Sequence, residues 1–480
     1  MKTIEMYVNG EWCKSSNEKW ITVTDPSTGS ELARIPRGQP KDVDSAVKAA
    51  KDAFESNAWR NIKPFERGRL LHEIAAKVNE NRDELAELES TDVGKPLSQG
   101  YADIDAAIRY FEFYAGAADK VMGDTIPIED GLLDYVVREP VGVTAHIVPW
   151  NYPIQILSRS VAAAIAMGNT VVVKSAEDTP LTANKIAEYF DQITIPKGVF
   201  NHVTGYGQEA GASLAAHPLI DHVTFTGSVE TGTAVANRAT SNVTPVTLEL
   251  GGKSPNIVFA DCDSEKALNG VMKAIIQNSG QTCSAGSRLL VEESFKDEFL
   301  DKLVTRFKQL SIGPALEDKD IGPILNEKQY NRVMHYLNIA EEEGTIVAGG
   351  KSAAPENGKN GYYMEPTIID HVAPDSKLAQ EEIFGPVLTV FSFNRVEDAL
   401  ELANSTEYGL VTGIWTQDIS KAHLLASRIK SGQVFVNNYG AGGGIQMPFG
   451  GYKKSGFGRE KGWIALYNYT QVKNVAIKYD

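Results

Sequence analysis

Through about the first 120 residues, apolar positions recur every three or four residues, as in "VDSAVKAAKDAFES" and "ERGRLLHEIAAKVNENRDELAELESTDVGKP". That spacing predicts a layer of helices. From about residue 133 the period changes. "GVTAHIVP", "NTVVVKS", "VFNHVTG", "HVTFTGS" and "TPVTLELG" are short β-branched runs that end in Gly, Pro, Ser or Asn. Between them lie "PIQILSRSVAAAIAMG", "TPLTANKIAEYFDQI" and "GQEAGASLAAH", at helical spacing. Regular alternation of strand and helix predicts an α/β fold with a doubly wound parallel sheet. A second series starts near Ser254, with strands in "SPNIVFA" and "SRLLVEE" and helices in "SEKALNGVMKAIIQNSG" and "SFKDEFLDKLVTRFKQL", so two α/β domains are expected. The stretch 350–362, rich in Gly, Pro and Asn, reads as a surface loop. The tail "LYNYTQVKNVAIKYD" ends in an alternating strand with no evident partner in a finished sheet, an edge suited to another subunit.

Composition removes several classes of function. The 480 residues are 42% hydrophobic and 23% charged, ordinary for a globular chain. The net charge of −15, with basic residues scattered rather than striped, argues against a nucleic-acid partner. The N-terminus "MKTIEMYVNGEW" lacks the apolar core of a signal peptide, and the uncharged stretch 160–173 is too short to span a bilayer, so no membrane partner is expected. Three cysteines in so long a chain suit a reducing cytoplasm.

Candidate chemistry sits where strands end. "VTFTG" runs into a Gly-Ser turn at Gly227 and Ser228 before a helix, which is either an everyday cap or a seat for pyrophosphate. Lys174 and Glu177 follow "TVVV" at the end of a predicted central strand and read either as solvated charges or as partners of a cofactor ribose. Asn151, in "VPWNYP", is either an N-cap or an amide donor to a developing oxyanion. Glu249, between Leu248 and Leu250, is either on the wet side of its strand or a carboxylate with the raised pKa of a general base. Cys283, in "GQTCSAG", has small neighbours that leave a thiol accessible, and a nearby helix end would lower its pKa. Taken alone it reads equally as a buried, inert cysteine.

The order of "VPWNYP", "GNTVVVKSAEDTP", "FTGSVETG", "LELGGKSP", "GQTCSAGSR", "EEIFGPV" and "PFGGYKKSGFGRE" changes that balance. Across essentially the whole chain the sequence resembles the NAD(P)-dependent aldehyde dehydrogenase superfamily, in its hydrolytic, non-CoA-acylating members. The resemblance implies a Rossmann-like cofactor domain (1–119 and 141–251), an α/β catalytic domain (252–462) and a small β oligomerisation flap (120–140 and 463–480). It implies Cys283 as nucleophile, Glu249 as general base and Asn151 as oxyanion amide. Val148, Pro149, Trp150, Lys174, Glu177, Gly207, Phe225, Gly227, Ser228, Leu250, Glu382 and Phe384 fall on cofactor-binding positions. Tyr152, Arg159, Gln281, Thr282 and Phe449 fall on substrate-binding ones. The implied cofactor is NAD, with NADP as the alternative, and no metal. The implied partners are a small-molecule aldehyde and further copies of the chain, in a homodimer or homotetramer.

The substrate is argued from less. Tyr152, Ile156 and Arg159 share a helical face near Asn151, so Arg159 is expected either to look into the substrate tunnel and meet a distal carboxylate or an aromatic ring, or to be tied to an acid from the neighbouring domain. The loop "NNYGAGGGIQM" has Tyr439 as its one aromatic residue and offers no aromatic cage to a quaternary ammonium, which disfavours betaine aldehyde. A bulky, aromatic or carboxylate-bearing aldehyde is the resulting expectation. A cofactor-binding structural protein and a thiol esterase using the same cysteine are the alternatives.

Overall fold

A computed structural model describes residues 2–358, 360–440 and 444–479 of the protein. Five β-branched strands form the centre of a first sheet and run parallel in the order Val246–Glu249, His222–Thr226, Val143–Ile147, Thr170–Lys174, Phe200–Val203. These strands are almost continuously buried, as strands covered by helices on both faces must be. The order reverses between Val143–Ile147 and His222–Thr226, so a crevice opens beyond their carboxyl ends, at Val148–Trp150 and Gly227–Ser228. The second sheet contains Val387–Phe393, Arg288–Glu292, Pro255–Val258 and Val411–Trp415 as its parallel centre.

The N-terminal third is less helical than its periodicity predicts. Met6–Val8 and Glu11–Cys13 extend the first sheet, and Lys2–Thr3, Glu31–Pro36 and Trp20–Thr24 form a small sheet of their own. Most of these strands are short and leave little periodic signal, although Met6–Val8 with Glu11–Cys13 and Trp20–Thr24 with Glu31–Pro36 are local antiparallel pairs. The helices Pro40–Glu55, Pro64–Glu80, Arg82–Val93 and Leu97–Ala117 follow. Leu97–Ala117 turns Ile104, Ala107, Ile108, Phe111 and Ala115 inward at helical spacing and packs on the helix Pro153–Ala166, which is buried on nearly every side.

Two further expectations change. The tail strand has its partner within the chain: Thr470–Lys478 pairs antiparallel with Leu132–Pro140 along all nine residues, and Asp124–Ile126 completes this third sheet. Gly456–Phe457, assigned by sequence to the second unit, instead adds an antiparallel edge to the first sheet beside Leu248 and Glu249. In 350–362 the loop is the connection of a small hairpin, Ser352–Ala353 with Tyr363–Met364, and Lys359 lies outside the described residues.

Candidate active site

Cys283 stands after a sharp reversal. The helix Ser264–Ile276 ends, and Asn278, Ser279 and Gly280 all take left-handed conformations, with φ of 47°, 56° and 73°. Asn tolerates that region, Ser pays for it, and Gly280 is required because a Cβ there would fall 2.1 Å from the Gly385 carbonyl oxygen. The turn carries Cys283 to a half-buried position beside Leu410, Val411, Phe449 and Tyr439. Tyr439 points its hydroxyl away, donating to the Ser284 carbonyl at 2.7 Å. Residues 441–443 of the same loop lie outside the described residues.

A lowered thiol pKa is not what this position gives. Burial pushes the Cys283 thiol up to about 12, against the pull of Arg159. The nearby helix reaches the turn with its C-terminal, electronegative end, so its dipole offers no help to a thiolate.

Asn151 is buried at the start of the helix Pro153–Ala166. Its amide donates to the Gln281 carbonyl at 3.1 Å, which leaves its second N–H uncommitted. Among the described residues the backbone N–H of Cys283 also has no partner. The two donors therefore belong to segments joined at Gln281. Gln281 itself, expected to bind substrate, is wholly buried. Its amide donates to the Asn278 carbonyl at 3.1 Å and accepts from the Leu325 N–H at 2.9 Å, so it holds the turn instead. Thr282 is buried within hydroxyl contact of Ser284 at 3.3 Å, and Tyr152 is buried with the Lys95 ammonium 4.3 Å from its ring centre.

Glu249 ends its strand opposite Thr226 on one side and Gly456 on the other. Both carboxylate oxygens are buried without a hydrogen-bond partner. Burial, and then the negative charge of Glu460, hold its pKa well above the usual carboxylate range, with Arg159, Arg459 and Lys461 opposing. Gly450 lies against it, and a Cβ there would come 2.8 Å from a Glu249 oxygen.

Arg159 is buried in the same place, but its charge is not free. It forms an ion pair with Glu460, and its guanidinium donates to Thr226 Oγ1 at 3.3 Å. Burial disfavours its charge, yet Glu460 keeps it fully protonated. The expected tunnel-facing cation is thus an internal one, spent on Glu460. Sequence reasoning missed Glu460 and Lys461, although both stand in the quoted "GFGRE" block and the residue after it. Lys461 places its ammonium 5.3 Å from the Phe449 ring centre, and the Arg159 guanidinium lies 5.4 Å from the same ring. Among the described residues Lys461 has no carboxylate partner, and burial followed by the charge of Arg159 lowers its pKa to about 8.

The positions matched to a cofactor surround the crevice of the first sheet. Val148 bonds to Lys174 through its N–H (2.9 Å), and Lys174 and Glu177 pair at 2.8 Å. Ser228 caps the helix Val229–Thr240 by accepting from the Thr231 N–H at 3.2 Å. Phe225 and Leu250 are buried below this cradle and form its floor: a Cβ on Gly227 would lie 2.5 Å from the Phe225 ring, and one on Gly232 2.5 Å from Leu250. Gly207 opens a turn with open space where a side chain would stand. Trp150, after Pro149, meets the Phe384 ring edge-on at 5.3 Å, with Phe384 at a left-handed φ of 66°. Glu382 accepts from the Gly252 N–H at 2.9 Å, and burial raises its pKa to about 7. The Gly251-Gly252 pair is forced: a Cβ on Gly251 would lie 2.4 Å from the Glu382 carboxylate, and one on Gly252 2.4 Å from the Cys283 carbonyl oxygen. Two glycines thus bring the base strand, the Glu382 carboxylate and the cysteine turn together.

The chain as a whole is similar to known proteins. The family model of the aldehyde dehydrogenase family matches residues 12–475. A hydroxyisobutyraldehyde dehydrogenase of Mycolicibacterium austroafricanum is 43% identical over 477 residues, covering 99% of this chain and 94% of the relative. The betaine aldehyde dehydrogenase of Bacillus subtilis is 41% identical, over 98% of this chain and 96% of its own length. The structure of an aldehyde dehydrogenase from Bacillus cereus in complex with NAD+ superposes with a TM-score of 0.97 at 41% identity, covering 100% of this chain and 97% of that one. A betaine aldehyde dehydrogenase from Staphylococcus aureus, solved with NAD+ and a BME-modified cysteine, gives 0.96 at 38% identity, over 99% and 96%. With a shared architecture and a family match along nearly its whole length, the chain belongs to the aldehyde dehydrogenase family.

Proposed function

We propose that the protein oxidises an aldehyde to its carboxylic acid with NAD, through a covalent intermediate on Cys283. The observation that carries this reading is the convergence of Asn151, Cys283, Glu249 and Glu382 around the Gly251-Gly252 turn. The residues present fit the cofactor. A strand-order switch point, a Gly-Ser turn opening a helix, and the Lys174–Glu177 pair line one crevice. Glu177 there would chelate ribose hydroxyls and repel a 2′-phosphate, which favours NAD over NADP. Glu382, next to the cysteine turn, would hold the second ribose. When bound, NAD supplies the acceptor for the hydride that leaves the substrate carbon.

The chain's own residues do the rest. The thiol must lose its proton before it adds to the aldehyde carbon, and the unpartnered Glu249 carboxylate is the base in its field. The free N–H of Asn151 and the N–H of Cys283 hold the resulting oxyanion. Its collapse leaves a thioester on Cys283. Glu249, its first proton passed to solvent, then takes a proton from the water that hydrolyses the thioester and returns it to the departing Cys283 thiolate, releasing the acid and the thiol.

The substrate is a bulky, aromatic or carboxylate-bearing aldehyde. Phe449 supplies an aromatic wall beside Cys283. Because Arg159 is spent on Glu460, the cation assigned to an anionic substituent is Lys461. Three free cysteines fit a cytoplasmic protein, and no helix among the described residues is long and apolar enough to cross a membrane. Exposed Ile126, Leu133, Val472 and Ile477 on the third sheet support a homo-oligomer.

The test is NADH formation across a panel of aldehydes, with Cys283→Ala as control. Turnover lost in that variant supports the reading. Ester cleavage without NADH, or NAD binding without turnover, overturns it. For the substrate class, Lys461→Met is expected to lower kcat/KM for carboxylate-bearing aldehydes by about tenfold while sparing neutral ones. Equal loss for both would remove Lys461 from that role.

A further inference from the structure

The loop between Arg82–Val93 and Leu97–Ala117 reaches both halves of the oxyanion site from outside it. Gly94 ends the first helix in a left-handed conformation, φ 89°, and Pro96 begins the second, so that Lys95 is turned fully into the interior. The Lys95 ammonium is held by Glu89 at 3.1 Å and by Asp103, and it lies 4.3 Å from the centre of the Tyr152 ring. Glu89 accepts from Thr182 Oγ1 at 2.7 Å and Asp103 from Gln155 Nε2 at 3.1 Å. Tyr152 follows Asn151 directly, and Gln155 lies on the first turn of the helix it opens.

Gln99, on the first turn of Leu97–Ala117, reaches the other half. Its Oε1 accepts from the backbone N–H of Asn278 at 2.8 Å. Asn278 donates its side-chain amide to the Asn151 carbonyl at 3.1 Å and to the Gln281 carbonyl at 3.3 Å, the carbonyl that also receives the Asn151 amide. Asn278 and Ser279 are consecutive non-glycine residues at positive φ, a conformation that persists only where neighbours over-determine it. Ser279 is held by the Gly322 carbonyl at 2.8 Å, and Asn278 by Gln99. A buried ion cluster stabilises no better than apolar side chains of the same volume, so fold stability alone does not account for Lys95 with its two carboxylates.

We propose that Gln99 is a positioning residue of the reaction: it holds the Asn278 turn in register with Asn151, while Lys95 secures Asn151 from the Tyr152 side, so that the two oxyanion donors keep a fixed separation. The inference rests on the roles given above to Asn151 and Cys283. Gln99 touches no reacting group and acts through Asn278. Loss of its acceptor lets the turn relax, and a shift of about 1 Å between donors is enough to cost rate while leaving binding intact.

Gln99→Leu removes the acceptor, and Gln99→Glu retains it at a half-buried position. The expected result is a kcat lower by about tenfold or more in Gln99→Leu, with KM for NAD and Tm unchanged, and a kcat within about threefold of the parent in Gln99→Glu. A kcat within about twofold of the parent in Gln99→Leu overturns the proposal, as does equal impairment of both variants, since a purely structural role would not distinguish them. Gln99→Met, matched in length, repeats the test if the leucine variant does not fold. Asn151→Ala and Cys283→Ala, measured alongside, separate the two levels. If Asn151→Ala keeps full kcat, the oxyanion reading fails and takes this proposal with it. If Asn151→Ala is impaired and Gln99→Leu is not, only the positioning role fails.

Discussion

Glu249 and its surroundings set two measurable behaviours at the residue scale. In Glu249→Gln the base proposed for both the thiol and the hydrolytic water is removed, so steady-state turnover is expected to fall about 10²- to 10⁴-fold, with the loss already present in the first, thioester-forming turnover measured as rapid NADH formation. Because burial and Glu460 raise the pKa of Glu249, kcat should fall as pH drops through a value above the usual carboxylate range. Glu460→Gln removes one of those causes, and the acid limb of the kcat–pH profile should move to lower pH. The Arg159–Glu460 pair makes a stability prediction of a different kind. Arg159→Leu strands a buried carboxylate and should cost about 3–5 kcal/mol in denaturant unfolding, whereas Arg159→Leu with Glu460→Leu should recover most of it. Sequence reasoning placed Cys283, Glu249 and Asn151 through the motifs around them. It could not find the partner of Arg159: the helix Pro153–Ala166 is buried on nearly every side, so helical spacing does not say which face meets the site, and Glu460 arrives from the far end of the chain.

Among elements, the parallel strands were the most legible, because full burial writes a continuous β-branched run into each of them. The two- and three-residue N-terminal strands and the two-residue Gly456–Phe457 edge were not, since they are too short for a period, and the partner of Gly456–Phe457 is distant in sequence. What those parallel strands enclose has a pH consequence. His146, His202 and His222 are buried in the first sheet, and burial lowers their pKa values to about 3, 4 and 4. Their unfolded value is about 6.5, so between the two the unfolded chain binds more protons. The stability they contribute is therefore complete above about pH 6.5 and is lost as pH falls from there toward about 3–4, at up to about 1.4 kcal/mol per pH unit for each histidine. Urea melts from pH 7.5 down to about pH 5 should show this, and the slope should be shallower in His202→Gln.

For the whole molecule, the two parallel sheets followed from the repeated alternation of strands and helices, while the way the tail ties the third sheet to the first did not. Besides forming the third sheet with Leu132–Pro140, the tail sends the Tyr469 carbonyl to Asn169 at 2.9 Å and its hydroxyl to Thr224 at 2.9 Å, two positions on the first sheet. Deleting 470–480 should leave the Leu132–Pro140 strand with an open edge. Size-exclusion chromatography is expected to show aggregates or a changed oligomer in place of the parent species. The Gly456–Phe457 edge carries the matter further, into synthesis. The strand that presents Glu249 is finished on its outer side only by Gly456–Phe457, about two hundred positions further along the chain, so that edge stays open until those residues have been made. A growing chain therefore carries Cys283 and Glu249 before the strand edge beside Glu249 can close.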